Sequence, residues 1–340
     1  MRQNPQGIVE PLDWSALVAE AIRRRKAEGL TQAQHASLAG VGRTTVVAFD
    51  QADTSLSLGR ALAILRVVGL VADKDQTSPQ DAFASACRQR WEHLVAKLAE
   101  DAPARQPHGH YSFDYEVVGP IRRLSSQRLK RVLEEAVVRY TGWPPFWVPT
   151  RPDLAPVADE DGVECWLGNP ETDRVFGDAA HSDYWRASTE GRLYLQRGYQ
   201  EDAVDVLKPG TVFDVTLPIW RTGEALTHAA RFARLVVDSP GDAEIRFRAR
   251  YTGLNGRDLT AWAKPTERGL ILGVHRSRLP DAHLAAAVPV SRVEGDLEGV
   301  VYELLAPLYE RFDGYVLARD LVEREIADMR SRGKTLKERV

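Results

Sequence analysis

The sequence predicts a chain of several domains. An all-α N-terminal domain, built on a helix, a tight turn and a second helix, precedes an α+β C-terminal domain with antiparallel hairpins. Three observations carry this reading. Residues 30–52, LTQAQHASLAGVGRTTVVAFDQA, place a cap, a small residue and a glycine turn where two crossing helices need them. Residues 101–112, DAPARQPHGHYS, are rich in Pro, Gly and polar side chains and read as a linker. Beyond them, two-residue alternation and turn residues mark hairpins among helical stretches.

Length and composition bound the rest. The 340 residues suit two or three domains, and 44% hydrophobic residues suffice to bury a core in each. The longest apolar run, Ala61 to Val71, is cut by Arg66 and Gly69 and is too short for a membrane span, and the opening MRQNPQGIVE lacks an apolar signal core. A cytoplasmic protein with no membrane partner is expected. Cys87 and Cys165 lie far apart, without CxxC or Cys/His spacing, which argues against a disulfide framework or structural zinc. Residues 1–75 hold nine Lys/Arg and eight Asp/Glu, a charge of +1, leaving −4 for the remainder of a chain whose net charge is −3. That excludes a nonspecific polyanion binder. A small site-specific module stays open, because only the face that meets phosphate must be positive.

In chain order, Asp13 caps a helix reaching Glu28, with Leu17, Val18, Ala21 and Ile22 at helical spacing. Arg23, Arg24, Arg25 and Lys26 at its C-terminal end suit the helix dipole and are placed to reach a phosphate. Thr31 caps the next helix, Gln32 points its amide outward and Ala36 is small at the crossing. Gly40 and Val41 form the turn. Gly42 opens the second helix, which sends Val46 and Phe49 inward and Arg43, Thr44, Thr45, Val47 and Ala48 outward. Thr54 or Ser55 starts a further helix, whose Leu58, Leu62, Leu65 and Val68 close a small core over residues 12–75.

This arrangement resembles the lambda-repressor-like (Cro/CI, or XRE) helix-turn-helix family over roughly residues 14 to 71: the LTQ opening, Ala36, the Gly40-Val41 turn and Asp50 fall in register. Two positions depart from the family pattern, His35 where an apolar residue is usual and Gly42 in place of a polar cap. The resemblance implies an all-α helix-turn-helix N-terminal domain that reads double-stranded DNA as a homodimer, most simply as a repressor. It places Gln32, Gly42, Arg43, Thr44, Thr45, Val47 and Ala48 on the DNA. Gln32 would hold a phosphate, Arg43 and Thr44 would read base edges, and Thr45 and Val47 would meet backbone or a thymine methyl.

Ser78-Pro79 then opens a helix over 78–100 in which Phe83, Cys87, Trp91, Leu94 and Leu98 follow steps of 4, 4, 3 and 4. Such a stripe needs a partner, either its copy in a dimer or the C-terminal domain. The linker 101–112 carries His108 and His110, an HxH pair with no third ligand nearby.

The α+β domain, 113–334, is a sensor or effector domain. It begins with a strand in FDYEVVG and a helix capped by Ser125 or Ser126, with Leu129, Val132, Leu133, Ala136 and Val137 on its apolar face. Trp143, Phe146 and Trp147 follow in a proline-rich turn, as core or as pocket lining. Residues 181–202 read as a hairpin, YWRA and RLYLQRGY around STEG, dense in hydrogen-bonding groups. A second hairpin is expected in IRFRARYTGLNGRDLTAW, where Ile245, Phe247, Ala249 and Tyr251 alternate with Arg246, Arg248 and Arg250 and Asn255-Gly256 supplies the turn. Tyr184, Arg186, Arg192, Arg197, Tyr199 and Arg248 are the candidates for holding a small-molecule or protein effector, against a salt-bridged or solvated surface. Between the hairpins, a strand and a helix run through GTVFDVTLPIWRTGEALTHAARFARLVVD, with Leu226, Ala229, Ala230, Ala233 and Val237 toward one side and Arg221, Glu224, His228 and Arg231 on other faces. A strand in HLAAAVPVSRV and helices over DLEGVVYELLAPLYERF and 318–332 complete the domain.

No GxSxG, HExxH, Walker loop or GxGxxG is present, so no catalytic residue, metal ligand or cofactor is assigned and the chain is not read as an enzyme. Glu201, Asp202 and Asp205 are a weak divalent-ion candidate, more simply explained by exposure. Two other readings stay open: an antitoxin-like interaction module that represses its own operon, and a DNA-targeted enzyme with its site within 181–202.

Overall fold

Asp13 Oδ1 accepts a hydrogen bond from Ala16 N–H at 2.9 Å and starts the first helix, α1 (Trp14–Ala27), of a computed structural model that describes residues 13–71, 78–172, 177–239 and 243–337. The chain divides into two units, Met1–Ser78 and Pro79–Val340. Residues 1–12 and 72–77, where the expected start and end of the first domain fall, lie outside the described residues.

In the first unit, α2 (Gln32–Leu38) begins with a capping box in which Thr31 and Gln34 satisfy each other's backbone N–H groups. Gly40 ends it in the left-handed region, at φ +62°. α3 (Arg43–Asp50) starts at Gly42 without a side-chain cap, and α4 (Leu58–Val67) starts after Ser57, later than the expected Thr54 or Ser55. Val18, Ala21, Ala36, Val46, Phe49, Ile64, Leu65 and Val68 form the core. His35 is buried in an apolar position because its Nε2 meets the Ile64 carbonyl at 2.9 Å. The basic end of α1 is engaged within the unit: Arg23 and Arg24 pair with Glu20, and Arg25 turns inward to Asp50.

The second unit is organised on a seven-stranded antiparallel sheet in the order β2-β3-β4-β5-β1-β7-β9. Its strands are β1 (His110–Val118), β2 (Val157–Ala158), β3 (Gly162–Trp166), β4 (Tyr184–Ser188), β5 (Arg192–Gly198), β7 (Glu244–Tyr251) and β9 (Ala282–Pro289). A separate parallel pair joins β6 (Val212–Asp214) to β8 (Asp258–Thr260). One face carries the main core, with α6 (Ser126–Ala136), α7 (Leu217–Val236), α8 (Val290–Gly295), α9 (Leu297–Tyr309) and α10 (Arg319–Lys337) packed over it. α5 (Pro79–Val95) covers part of the opposite face, where Ala84 and Cys87 meet Tyr184 and Tyr194. Its apolar stripe is therefore occupied by the sheet of its own unit.

Four expectations change. Residues 101–112 do not form an interdomain spacer. They fasten α5 to the sheet, because Arg105 donates to the carbonyls of Val95 and Leu98, Gln196 donates to Gln106, and β1 already begins at His110. The first hairpin forms as β4 and β5, but the second does not. β7 lies between β1 and β9, and β8 leaves for the smaller pair. Just beyond β7 the chain passes close to the segment before β1 at Gly109 and Gly253, where an added Cβ would stand 2.5 Å and 2.4 Å from the opposing carbonyl oxygens. Glu224 and His228 are buried, since α7 is enclosed by neighbouring helices as well as by the sheet. Burial pushes the His228 imidazole down to about 3 and keeps it neutral beside the Tyr115 hydroxyl, 3.0 Å from Nδ1. Glu201 and Asp202 turn inward, leaving Asp205 exposed. No helix among the described residues is long and apolar enough to cross a membrane.

Candidate functional site

Two places concentrate functional chemistry, one in each unit. On the first unit, burial of Val46 and Phe49 fixes which side of α3 faces outward. Arg43 and Thr44 are exposed, while Thr45, Val47 and Ala48 are half-buried beside them. Gln32 is not aimed at solvent: its amide donates to Asp50 at 2.5 Å. Asp50 also takes two hydrogen bonds from Arg25, at 2.8 and 2.7 Å. The carboxylate at the end of α3 thus ties together α1, α2 and α3, and the exposed start of α3 is held by buried groups on its inner side.

The second unit contains a cavity of about 440 Å³. Strand alternation turns Tyr111 of β1, Arg197 of β5 and Tyr251 of β7 to the helical face of the sheet, and the register sets Tyr111 opposite both of the others. α7 adds Trp220 and Arg221, α10 adds Glu325 and Arg332, and Trp143, Phe213 and Lys264 complete the wall from connecting segments and β6. Tyr199, Phe213, Tyr251 and Tyr111 form a continuous aromatic side, with ring centres 5.7 to 6.2 Å apart.

Glu201 sits at this wall because a short turn over Gln200–Ala203 follows β5 and folds it back. It is 3% exposed, and its Oε1 accepts from Asp214 N–H at 2.9 Å. Burial, reinforced by the Asp214 carboxylate, pushes its carboxyl up to about 7. Asp214 in turn accepts from Thr216 and Leu217 at the start of α7, so the helix and the acid are positioned by the same loop. The Tyr111 hydroxyl is buried against the Arg197 guanidinium. Arg197, beside it, is committed to Asp183 and to the carbonyls of Trp143 and Pro144. Arg221 donates to Thr141, to Gln200 and to the buried Glu224. Lys264 donates to Glu325 and Asp328.

The six expected effector residues do not form one site. Arg197 and Tyr199 line the cavity, whereas Tyr184, Arg186, Arg192 and Arg248 face the other side of the sheet. There Tyr184 lies under α5, Arg186 pairs with Asp159, Arg192 with Glu116 and Glu190, and Arg248 with Asp114 and Asp81. Of the aromatic turn, Trp143 reaches the cavity while Phe146 is core against His228. Tyr111, Trp220, Lys264 and Glu325 carried no sequence signal of their own, since they meet only through the fold. Glu201 did stand out, for an ion-binding reason that its buried surroundings replace.

No group of three His, Cys, Asp or Glu among the described residues is placed to hold a metal ion. Asp202 is instead bound to Arg257, and burial pushes His110 down to about 4. Both cysteines are buried on opposite faces of the sheet and burial pushes their thiols up, that of Cys87 to about 12, which makes them poor redox partners. Comparisons with protein-family models, curated proteins and solved structures find no match to this chain, so both candidate sites are read from their own chemistry.

Proposed function

We propose that this chain is a sequence-specific DNA-binding regulator, acting as a homodimeric repressor, whose second unit holds a small-molecule effector. The observation that carries the DNA reading is the exposed start of α3: Arg43 and Thr44 face outward from a helix whose other side is locked by Val46, Phe49 and the Arg25–Asp50 pair. An arginine at that position suits a bidentate contact to guanine in the major groove. Gln32, engaged with Asp50, then acts by holding α2 against α3 instead of binding phosphate. The effector reading draws on the aromatic cavity and on the raised carboxyl of Glu201 within it.

Selection of bound duplexes from a random pool, followed by anisotropy titration, tests the DNA reading. Arg43→Ala is expected to cost about 1 to 3 kcal/mol on the selected site and to relax base preference at one position, without loss of folding stability. Unchanged affinity on the selected duplex rejects the assignment. A two-fold site and a dimeric mass on DNA are the expected companions, and a single half-site bound by one chain rejects the homodimer.

A further inference from the structure

The charges around the cavity pair off, with two exceptions. Arg197 is held by Asp183, Arg221 lies 3.4 Å from Glu224, and Lys264 reaches Glu325 at 2.6 Å and Asp328 at 2.7 Å. Each of these cations is answered by an acid of the protein itself.

The first exception is Glu201, inside. It lines the cavity at 3% exposure, and among the described residues the one hydrogen bond its carboxyl takes from another residue comes from Asp214 N–H. No cation pairs with it: Arg257, whose charge reaches it, is bound to Asp202. The neighbouring Asp214 is already satisfied, by the N–H groups of Thr216, Leu217 and Ala263. Burial therefore favours the protonated form of Glu201 for as long as nothing positive enters beside it. The second exception is Arg332, at the opening. It is exposed, lies 4.6 Å from the centre of the Trp220 ring, and has no acid paired with it among the described residues. An entering molecule thus meets one unanswered acid inside and one unanswered cation outside. An anion alone would satisfy only Arg332, where solvent weakens the pairing, and a cation alone only Glu201. Any third charge would be buried without a counterpart.

We propose that the cavity binds a small zwitterionic amino acid with an uncharged frame, its ammonium on Glu201 inside and its carboxylate at Arg332 toward the opening. This rests on the reading of the cavity as an effector site and adds the chemical class. Leu217, Pro218 and Trp220 supply apolar lining for the frame, and a volume of about 440 Å³ lies toward the small end of ligand pockets.

Calorimetric titration of the full chain tests it, with leucine, phenylalanine, γ-aminobutyrate and 6-aminohexanoate as probes. The N-acetyl and methyl-ester form of each, which carry only the negative or only the positive charge, are the controls. At least one free amino acid is expected to bind about tenfold or more tighter than both of its blocked forms. Glu201→Gln keeps an acceptor for Asp214 N–H and is expected to weaken that probe by about tenfold or more, without a comparable loss for its N-acetyl form. Arg332→Gln, on an exposed side chain, is expected to weaken the free and the N-acetyl form alike, by about twofold to fivefold, at an unchanged melting temperature. A blocked form that binds as tightly as its parent overturns the zwitterion, and no binding by any free amino acid overturns the class outright. Unchanged affinity in Glu201→Gln or in Arg332→Gln overturns the placement of the ammonium or of the carboxylate. Should Glu201→Gln lose its fold, the blocked forms and Arg332→Gln decide. A free amino acid that binds but leaves DNA affinity unchanged rejects the effector reading and leaves the ligand class standing.

Discussion

Each unit contains an arginine clasped by an aspartate, and the two pairs hold different things in place. In the first unit Arg25 and Asp50 have side chains 7% and 13% exposed and join α1 to the end of α3. In the second, Arg197 and Asp183 are 2% and 0% exposed and join β5 to the segment before β4. The first pair supports a surface: with Asp50 occupied from inside, α3 turns Arg43 and Thr44 outward. The second pair supports a hollow, since Arg197 reaches the cavity wall only by giving its guanidinium to Asp183 and two carbonyls. A buried ion pair adds little net stability over apolar packing, but it dictates where its partners stand. The same pairing thus serves recognition from outside in one unit and enclosure in the other.

Breaking the deeper pair should have the largest effect. Asp183→Ala leaves Arg197 buried without its carboxylate and should destabilise the second unit by about 3 to 5 kcal/mol, read from denaturant unfolding followed by the tryptophans of residues 91–262. A loss below about 1 kcal/mol would show that water reaches Arg197 and that the cavity is not closed around it.

Next in size is a pH effect that only the second unit should show. Glu201 titrates near 7 in the fold against about 4.3 in an unfolded chain, so the folded state holds more protons between those values. Stability from this group is therefore greatest below about pH 4 and is lost as pH rises through 7, by about 4 kcal/mol in all. Glu201→Gln keeps an acceptor for Asp214 N–H and removes that dependence. The variant should gain on the parent as pH rises from about 5 to 8, measured by urea unfolding, and parallel curves would reject the raised carboxyl.

The smallest of these changes is expected for the shallower pair. Asp50→Ala should cost the first unit about 2 kcal/mol, less than Asp183→Ala because solvent reaches its partners, and should free Gln32 and loosen α3. Trp14, edge-on to Phe49 at 5.4 Å, is the only tryptophan before residue 79 and reports that transition by itself. Equal costs for the two aspartates would erase the contrast between surface and hollow.

What the sequence determined by itself is local. The turns and caps at Asp13, Thr31, Gly40 and Ser125, the inward Val46 and Phe49, and the alternation along β7 all depend on neighbours within a few residues, and each appears where its spacing placed it. Arg43 and Thr44 were legible for the same reason, as the outer side of one short helix. Only the tertiary structure decided which strand faces share a side, and so it separated Arg197 and Tyr199 from Tyr184, Arg186, Arg192 and Arg248, residues alike in type and close in sequence. It also buried Glu224 and His228 on a helix whose pattern looked two-sided, because helices and sheet cover α7 on several faces. The cavity was invisible beforehand because its walls span residues 111 to 332, and no period along a chain records which distant segments close around the same space.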